Sequence, residues 1–163
     1  MKLTEKEILA WLEEVKDPEI PVLSLVDLGV ITKIDIDDSG KVRVIMTPTF
    51  SGCPAMDMMK REVEESLERK GIQEFEVKIN FDEPWNSNKI SEKGRKALKE
   101  FGLAPPPTDT LIVDLDILEH VACPFCNSEN TIMKSPFGPT LCRSLHYCNN
   151  CKQGFEQFKP VNQ

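Results

Sequence analysis

Hydrophobic and polar positions change period several times along the chain, and each change marks an expected element. Thr4 and Glu7 are spaced as a capping box, with Leu3 and Ile8 placed as a hydrophobic staple. They predict a helix from about residue 5 to 16 that Asp17-Pro18 ends. Valine and isoleucine then alternate through VITKIDI and KVRVIMT around Asp37-Asp38-Ser39-Gly40, the pattern of a β-hairpin whose strands each bury one face. After Pro54, Met56, Met59, Val63 and Leu67 recur at spacings of three and four, which predicts an amphipathic helix closed by Gly71. Phe75, Val77, Ile79 and Phe81 alternate with Glu76, Lys78 and Asn80, so a half-buried strand follows. Residues 91–101 read as a last helix. The order predicts an α+β fold, a small sheet with helices packed on one face.

The stretch APPPT at 104–108 cannot continue a helix and favours an extended form, so a boundary is expected there. The predicted organisation is an α+β domain over 1–103, a Pro-rich linker and acidic strap over 104–119, and a zinc ribbon over 120–163. The strap carries LIVDLDIL, a run with strand propensity that is expected to lie along the first domain.

Composition narrows the classes. Of 163 residues, 40% are hydrophobic and 29% charged, which is globular rather than disordered. A net charge of -7 argues against nucleic acid as a partner, because polyanion affinity comes from Lys and Arg neutralising phosphates. The start MKLTEKEILAWLEEVKD lacks the apolar centre of a signal peptide, and no run approaches a membrane span. A cytoplasmic location without membrane association is expected. In a reducing compartment the six cysteines read as metal ligands or reactive thiols rather than a disulfide frame.

Five of those cysteines lie together. Cys123-Pro124-Phe125-Cys126 and Cys148-Asn149-Asn150-Cys151 are C-x-x-C pairs 21 residues apart. Each pair makes a knuckle that turns its sulfurs inward, and four thiolates satisfy tetrahedral zinc. TIMK, LHY and Gly154-Phe155 supply the strands of the ribbon. One structural zinc per chain is expected at Cys123, Cys126, Cys148 and Cys151. Rubredoxin-like iron or an iron-sulfur cluster suits the same ligand chemistry. Cys142 and His120 are the alternative ligands by spacing; paired knuckles leave Cys142 as a buried small residue, His120 as a surface group, and His146 as packed or solvated beside a knuckle. With four bases and two acids over 120–163, the loaded ribbon is near neutral and fits a docking role better than DNA.

The sixth, Cys53, stands apart in TPTFSGCPAMDMM, between a strand-like and a helix-like run. With DPEIPVLSLVDLGVI at 17–31, TPTFSGCP at 47–54 and DEPWNSNKISEKGRKAL at 82–98, the chain resembles the metal-sulfur cluster biosynthetic domain family, which includes SufT and Cia-pathway assembly factors. The likeness spans roughly residues 3–102. The C-terminal ribbon, through FGPTLCRSLHYCNNCKQGFEQFKP, narrows it to the phenylacetate-degradation branch. That resemblance implies a maturation factor for the phenylacetyl-CoA epoxidase system, with partners in the diiron oxygenase and its iron-sulfur flavin reductase.

The family's cysteine falls on Cys53, and Asp17, Glu19 and Asp27 fall in its acidic signature. The resemblance therefore implies transient handling of iron or an iron-sulfur cluster at these residues, without catalysis. A helix start favours a thiolate at Cys53. One cysteine is a poor permanent cluster site, so weak ligation, a ligand from each copy in a homodimer, and a metal shared with a client all remain open. The plainer readings are a packed Cys53, a helix stop at Asp17-Pro18, a turn at Asp27-Leu28-Gly29, an anchoring Trp85 and a core role for Met56 and Met59 that leaves Met58 aside. Two rival functions also stand. One is a cysteine-dependent acyl-CoA enzyme, for which His120 or His146 would have to reach Cys53. The other is a structural bridging subunit of a multicomponent oxygenase.

Overall fold

The computed structural model describes residues 2–108 and 119–160. Most of the predicted strap, LIVDLDIL included, lies outside the described residues. The elements run α1 (Glu5–Leu12), β1 (Ile31–Ile36), β2 (Val42–Met46), α2 (Met56–Arg69), β3 (Phe75–Ile79), a 3-10 turn (Ser87–Lys89), α3 (Glu92–Glu100), β4 (Leu103–Ala104), β5 (Thr131–Ser135), β6 (Arg143–Cys148) and β7 (Gly154–Phe158). The fold is α+β, small sheets with few helices and a C-terminal cysteine-cluster ribbon.

Two compact units form. The first comprises Met1–Trp85 with Lys89–Ser91, the second Asn86–Asn88 with Glu92–Gln163. The sequence reading put α3 with the first sheet and drew the boundary at residue 103; in the structure α3 groups with the second unit. The reason is local. Two residues after α3 ends, β4 joins the ribbon sheet by pairing with β7, and Arg95 of α3 donates to the carbonyls of Ser87 and Pro106 within the same unit.

In the first unit the sheet order is β1-β2-β3. β1 and β2 form the expected antiparallel hairpin, and β3 pairs with β2 in parallel after the α2 crossover. α1 and α2 contact each other, and they contact β1 and β3 respectively, so both cover one face of the sheet. The predicted apolar stripe is that face: Met56, Met59, Val63 and Leu67 are buried with Ile8, Leu12, Val42, Val44, Met46 and Val77, while Met58 is 51% exposed.

α1 opens on the predicted capping box between Thr4 and Glu7 but stops at Leu12, four residues short of the expected end. Val15 N–H bonds Leu12, and the chain then leaves the helix to pair with a later segment. The Val15 carbonyl accepts from Leu25, Asp17 N–H donates to Leu23, and Lys16 bridges Ser24. Backbone pairing with residues 23–25 outweighs the last helical turn, which a local pattern cannot register.

In the second unit the order is β4-β7-β6-β5. Its apolar core is small: Ala104, Val121 and Phe155 pack with Cys123 and Cys148, and Cys126 and Cys151 lie against them. Thr131, Ser144, His146 and Gln157 are also buried there. So polar an interior gives little hydrophobic driving force.

Candidate functional site

The two knuckles of the ribbon are built alike. Cys123 N–H donates to Ser128 at 2.9 Å, and Asn127 N–H returns to the Cys123 carbonyl at 2.8 Å. In the second, Cys148 N–H donates to Gln153 at 2.9 Å and Lys152 N–H to the Cys148 carbonyl at 3.0 Å. Each loop closes through one left-handed residue, Asn127 at φ 60° and Lys152 at φ 62°. Asn adopts that region readily, but nothing in the sequence announced Lys152.

These turns bring four sulfurs together. Cys123 Sγ lies 3.7 Å from Cys151 Sγ, and Cys126 Sγ lies 3.6 Å from Cys148 Sγ. All four ligand atoms fall within 4.8 Å of one another. A zinc tetrahedron with bonds of about 2.3 Å has sulfur–sulfur edges of about 3.8 Å, so the cluster fits the ion. Bound there, zinc would hold the two knuckles together, and four thiolates fill its coordination shell. The Asn150 side-chain amide donates to Cys126 Sγ at 3.6 Å. That bond, helped by backbone donation from Ser128, brings the Cys126 thiol down to about 6. Burial pushes Cys151 up to about 12. Thiolate ligation by the metal is what resolves this opposition, because a bound thiol is deprotonated outright.

The other candidates near the ribbon lie outside the cluster. Cys142 Sγ is 3.1 Å from the Thr140 hydroxyl. His120 is exposed. His146 is buried, stacked on Phe155 at 5.3 Å, with Nε2 2.7 Å from the Ser144 hydroxyl, and burial lowers its pKa.

In the first unit Cys53 lies at the rim of a loop whose first half is interior: Thr47, Pro48 and Thr49 are buried, Ser51 and Gly52 exposed, Cys53 half-buried. The loop turns through Cys53 N–H to the Phe50 carbonyl at 3.3 Å. The Cys53 carbonyl then accepts from Met56 N–H, the first residue of α2, at 3.3 Å. Ala55 caps that helix without a side-chain hydrogen bond. Cys53 therefore stands just before an N-terminus that no side chain closes, where a thiolate gains from the helix dipole.

The carboxylates serve local structure. Asp17 Oδ1 accepts from Glu19 N–H at 2.8 Å and Ile20 N–H at 2.9 Å, fixing the turn after α1. Asp27 is buried, and its two carboxylate oxygens accept from the hydroxyls of Ser24 at 2.8 Å and Ser91 at 2.6 Å. Glu19 is exposed. Among the described residues, the four ribbon cysteines are the one group of three or more metal-capable side chains brought within ligating reach; Cys53 shares no such group with Asp17, Glu19 and Asp27.

Comparison with known proteins follows the same division. Residues 5–80 match the family described as "Iron-sulfur cluster assembly protein", and residues 112–159 match the "PaaD zinc beta ribbon domain". A relative from Escherichia coli (strain K12), whose name reads "Putative 1,2-phenylacetyl-CoA epoxidase" and marks it as one of that enzyme's subunits, is 35% identical over 155 residues, covering 95% of this chain and 92% of that protein. The chain belongs to the iron-sulfur cluster assembly family, in the form that carries a PaaD-type zinc ribbon. An Fe-S protein maturation auxiliary factor of Porphyromonas gingivalis is 38% identical over 100 residues, 61% of this chain and 91% of its own. Among solved structures, a domain of unknown function from Bacillus anthracis superposes with a TM-score of 0.54 at 29% identity, covering 58% of this chain and 90% of that one. Membership of the family gives the chain the role of an accessory factor in iron-sulfur cluster maturation. Among the described residues, no helix is long and apolar enough to cross a membrane.

Proposed function

We propose that this protein assists assembly of the iron or iron-sulfur centre in the oxygenase or reductase of a phenylacetyl-CoA epoxidase system, within aerobic phenylacetate degradation in the cytoplasm. The observation that carries the reading is the near full-length likeness to the Escherichia coli protein, together with the matches to both an assembly domain and a PaaD-type ribbon. Cys53 receives or presents iron or a cluster, while Asp17, Glu19 and Asp27 shape the turns of the same unit rather than ligating. A single half-buried sulfur ahead of an open helix N-terminus suits transfer better than storage. Cys123, Cys126, Cys148 and Cys151 hold one structural zinc, and the ribbon docks the client. The protein has no catalytic step of its own.

The test is metal and acid-labile sulfide analysis of protein purified without oxygen, together with loading of the client, for wild type and Cys53→Ala. Zinc near one per chain is expected in both, with client loading lost in the variant. A Cys53→Ala protein that supports full loading removes Cys53 from the transfer step.

A further inference from the structure

A sheet edge that is long, regular and unpaired is a template for another strand, and the described edges of this molecule differ in that respect. β1 is interrupted by a register shift between Ile31 and Lys33. β5 has one between Met133 and Ser135, and β4 is two residues long. Such bulges and short lengths blunt an edge. β3 carries neither device over Phe75–Ile79.

Its hydrogen-bonding sense follows from two bonds. Val42 N–H donates to the Glu74 carbonyl at 3.0 Å, and Asn80 N–H donates to the Met46 carbonyl at 2.8 Å. In a parallel ladder of this register, residues 74, 76, 78 and 80 turn their backbone groups toward β2. Phe75, Val77 and Ile79 therefore turn theirs outward. Among the described residues no strand pairs with that side. A groove of about 550 Å³ runs along it, lined by all of Phe75–Ile79 with Lys60 and Glu64 of α2.

The sequence FEVKI is complementary to itself when reversed. We infer that β3 pairs antiparallel with the β3 of a second copy of this chain, about a two-fold axis at Val77. Val77 then faces Val77, and Phe75 faces Ile79, as hydrogen-bonded pairs that use the outward N–H and C=O groups. Glu76 faces the second copy's Lys78, and Lys78 the second copy's Glu76, at the closer non-hydrogen-bonded positions where side chains interact most. Both charges lie on the solvent side, with Glu76 34% and Lys78 55% exposed. The helix flank beside the edge also carries one charge of each sign, Lys60 and Glu64. Such an interface is isologous and closes on itself, which prevents growth into a fibre. Its small contact area makes it weak, with a dissociation constant of about 10 µM or more. This inference is independent of the role proposed for Cys53.

The experiment is sedimentation equilibrium on the full zinc-loaded chain over roughly 1 to 200 µM, with circular dichroism to establish that each variant folds. Lys78→Glu gives an all-acidic edge and Glu76→Lys an all-basic one. Wild type should self-associate with concentration. Each single variant should associate at least about tenfold more weakly, since like charges then face each other. A one-to-one mixture of the two variants should recover the wild-type dimer. Three results overturn the inference: wild type that is monomeric throughout, as it would be if another segment or a client strand covers the edge; single variants that dimerise like wild type; or a mixture that stays monomeric.

Discussion

The indole N–H of Trp85 donates to the backbone carbonyl of Leu28 at 3.0 Å, with the side chain wholly buried. A residue beyond β3 thereby fixes the turn that leads into β1. Trp85→Phe keeps most of the apolar volume but leaves a buried carbonyl without its donor, which costs about 1–3 kcal/mol. Chemical denaturation should show a lower midpoint at unchanged slope. An unchanged midpoint would mean that Leu28 is satisfied some other way.

The next residue makes the same junction sensitive to a single methyl. Gly29 sits at φ +76°, and a Cβ there would stand 2.6 Å from both Cβ and the carbonyl oxygen of Lys89. One obstacle is backbone, so it cannot swing aside. Gly29→Ala should therefore destabilise the first unit by roughly 2 kcal/mol or more, seen as a fall in Tm. Gly71→Ala is the control: its φ of +84° is similar, but nothing lies within 4 Å of the added Cβ, so it should cost only the conformational share.

These two residues also show what the sequence made legible. The hairpin, the α2 stripe and the alternating β3 were readable because burial of one face imposes a period that local composition records. The knuckles were readable because ligand geometry dictates spacing. The early end of α1 was not, since the bonds that compete for Val15, Lys16 and Asp17 come from residues 23–25. Nor was the grouping of α3, which depends on β4 pairing with β7 some fifty residues later. Asp27 could be placed in a turn, but its bond to Ser91 spans 64 residues and leaves no local trace. Cys53 drew notice only through its surrounding motif.

The capping box at α1 carries a pH signature. Hydrogen bonds from the Thr4 hydroxyl and backbone hold the Glu7 carboxyl below its ordinary value. A carboxylate whose folded pKa is depressed contributes stability that is fully present above the unfolded value, near 4.5, and that fades as pH falls through the folded one. Wild type should lose thermal stability across that acidic window more steeply than Glu7→Gln. Parallel pH profiles would show that the box is idle in solution.

Lys152 closes the second knuckle at φ 62° while exposed to solvent. Holding a non-glycine residue in the left-handed region costs about 1 kcal/mol, partly offset in a glycine variant by the greater freedom of its unfolded chain. Lys152→Gly should raise the Tm of the zinc-loaded protein slightly without altering zinc stoichiometry. A fall in Tm would indicate that the Lys152 side chain stabilises the ribbon through contacts that outweigh its backbone strain.

Removing the metal should affect the two units differently. The second unit packs Ala104, Val121 and Phe155 around its four cysteines and encloses Ser144, His146 and Gln157, so little apolar surface holds it without the ion. Zinc binding to such ligand sets contributes on the order of 10 kcal/mol or more, far above what that core supplies. The first unit owes nothing to the cluster, since its interior is built from Ile8, Val44, Met59, Val63 and their neighbours. Chelation under reducing conditions should therefore abolish hydrogen-exchange protection at β5, β6 and β7, while β2 and α2 keep theirs. Cys126→Ser should reproduce that loss in part. Protection that persists in the ribbon strands after verified zinc removal would show that the knuckle bonds through Ser128 and Gln153 suffice to fold it.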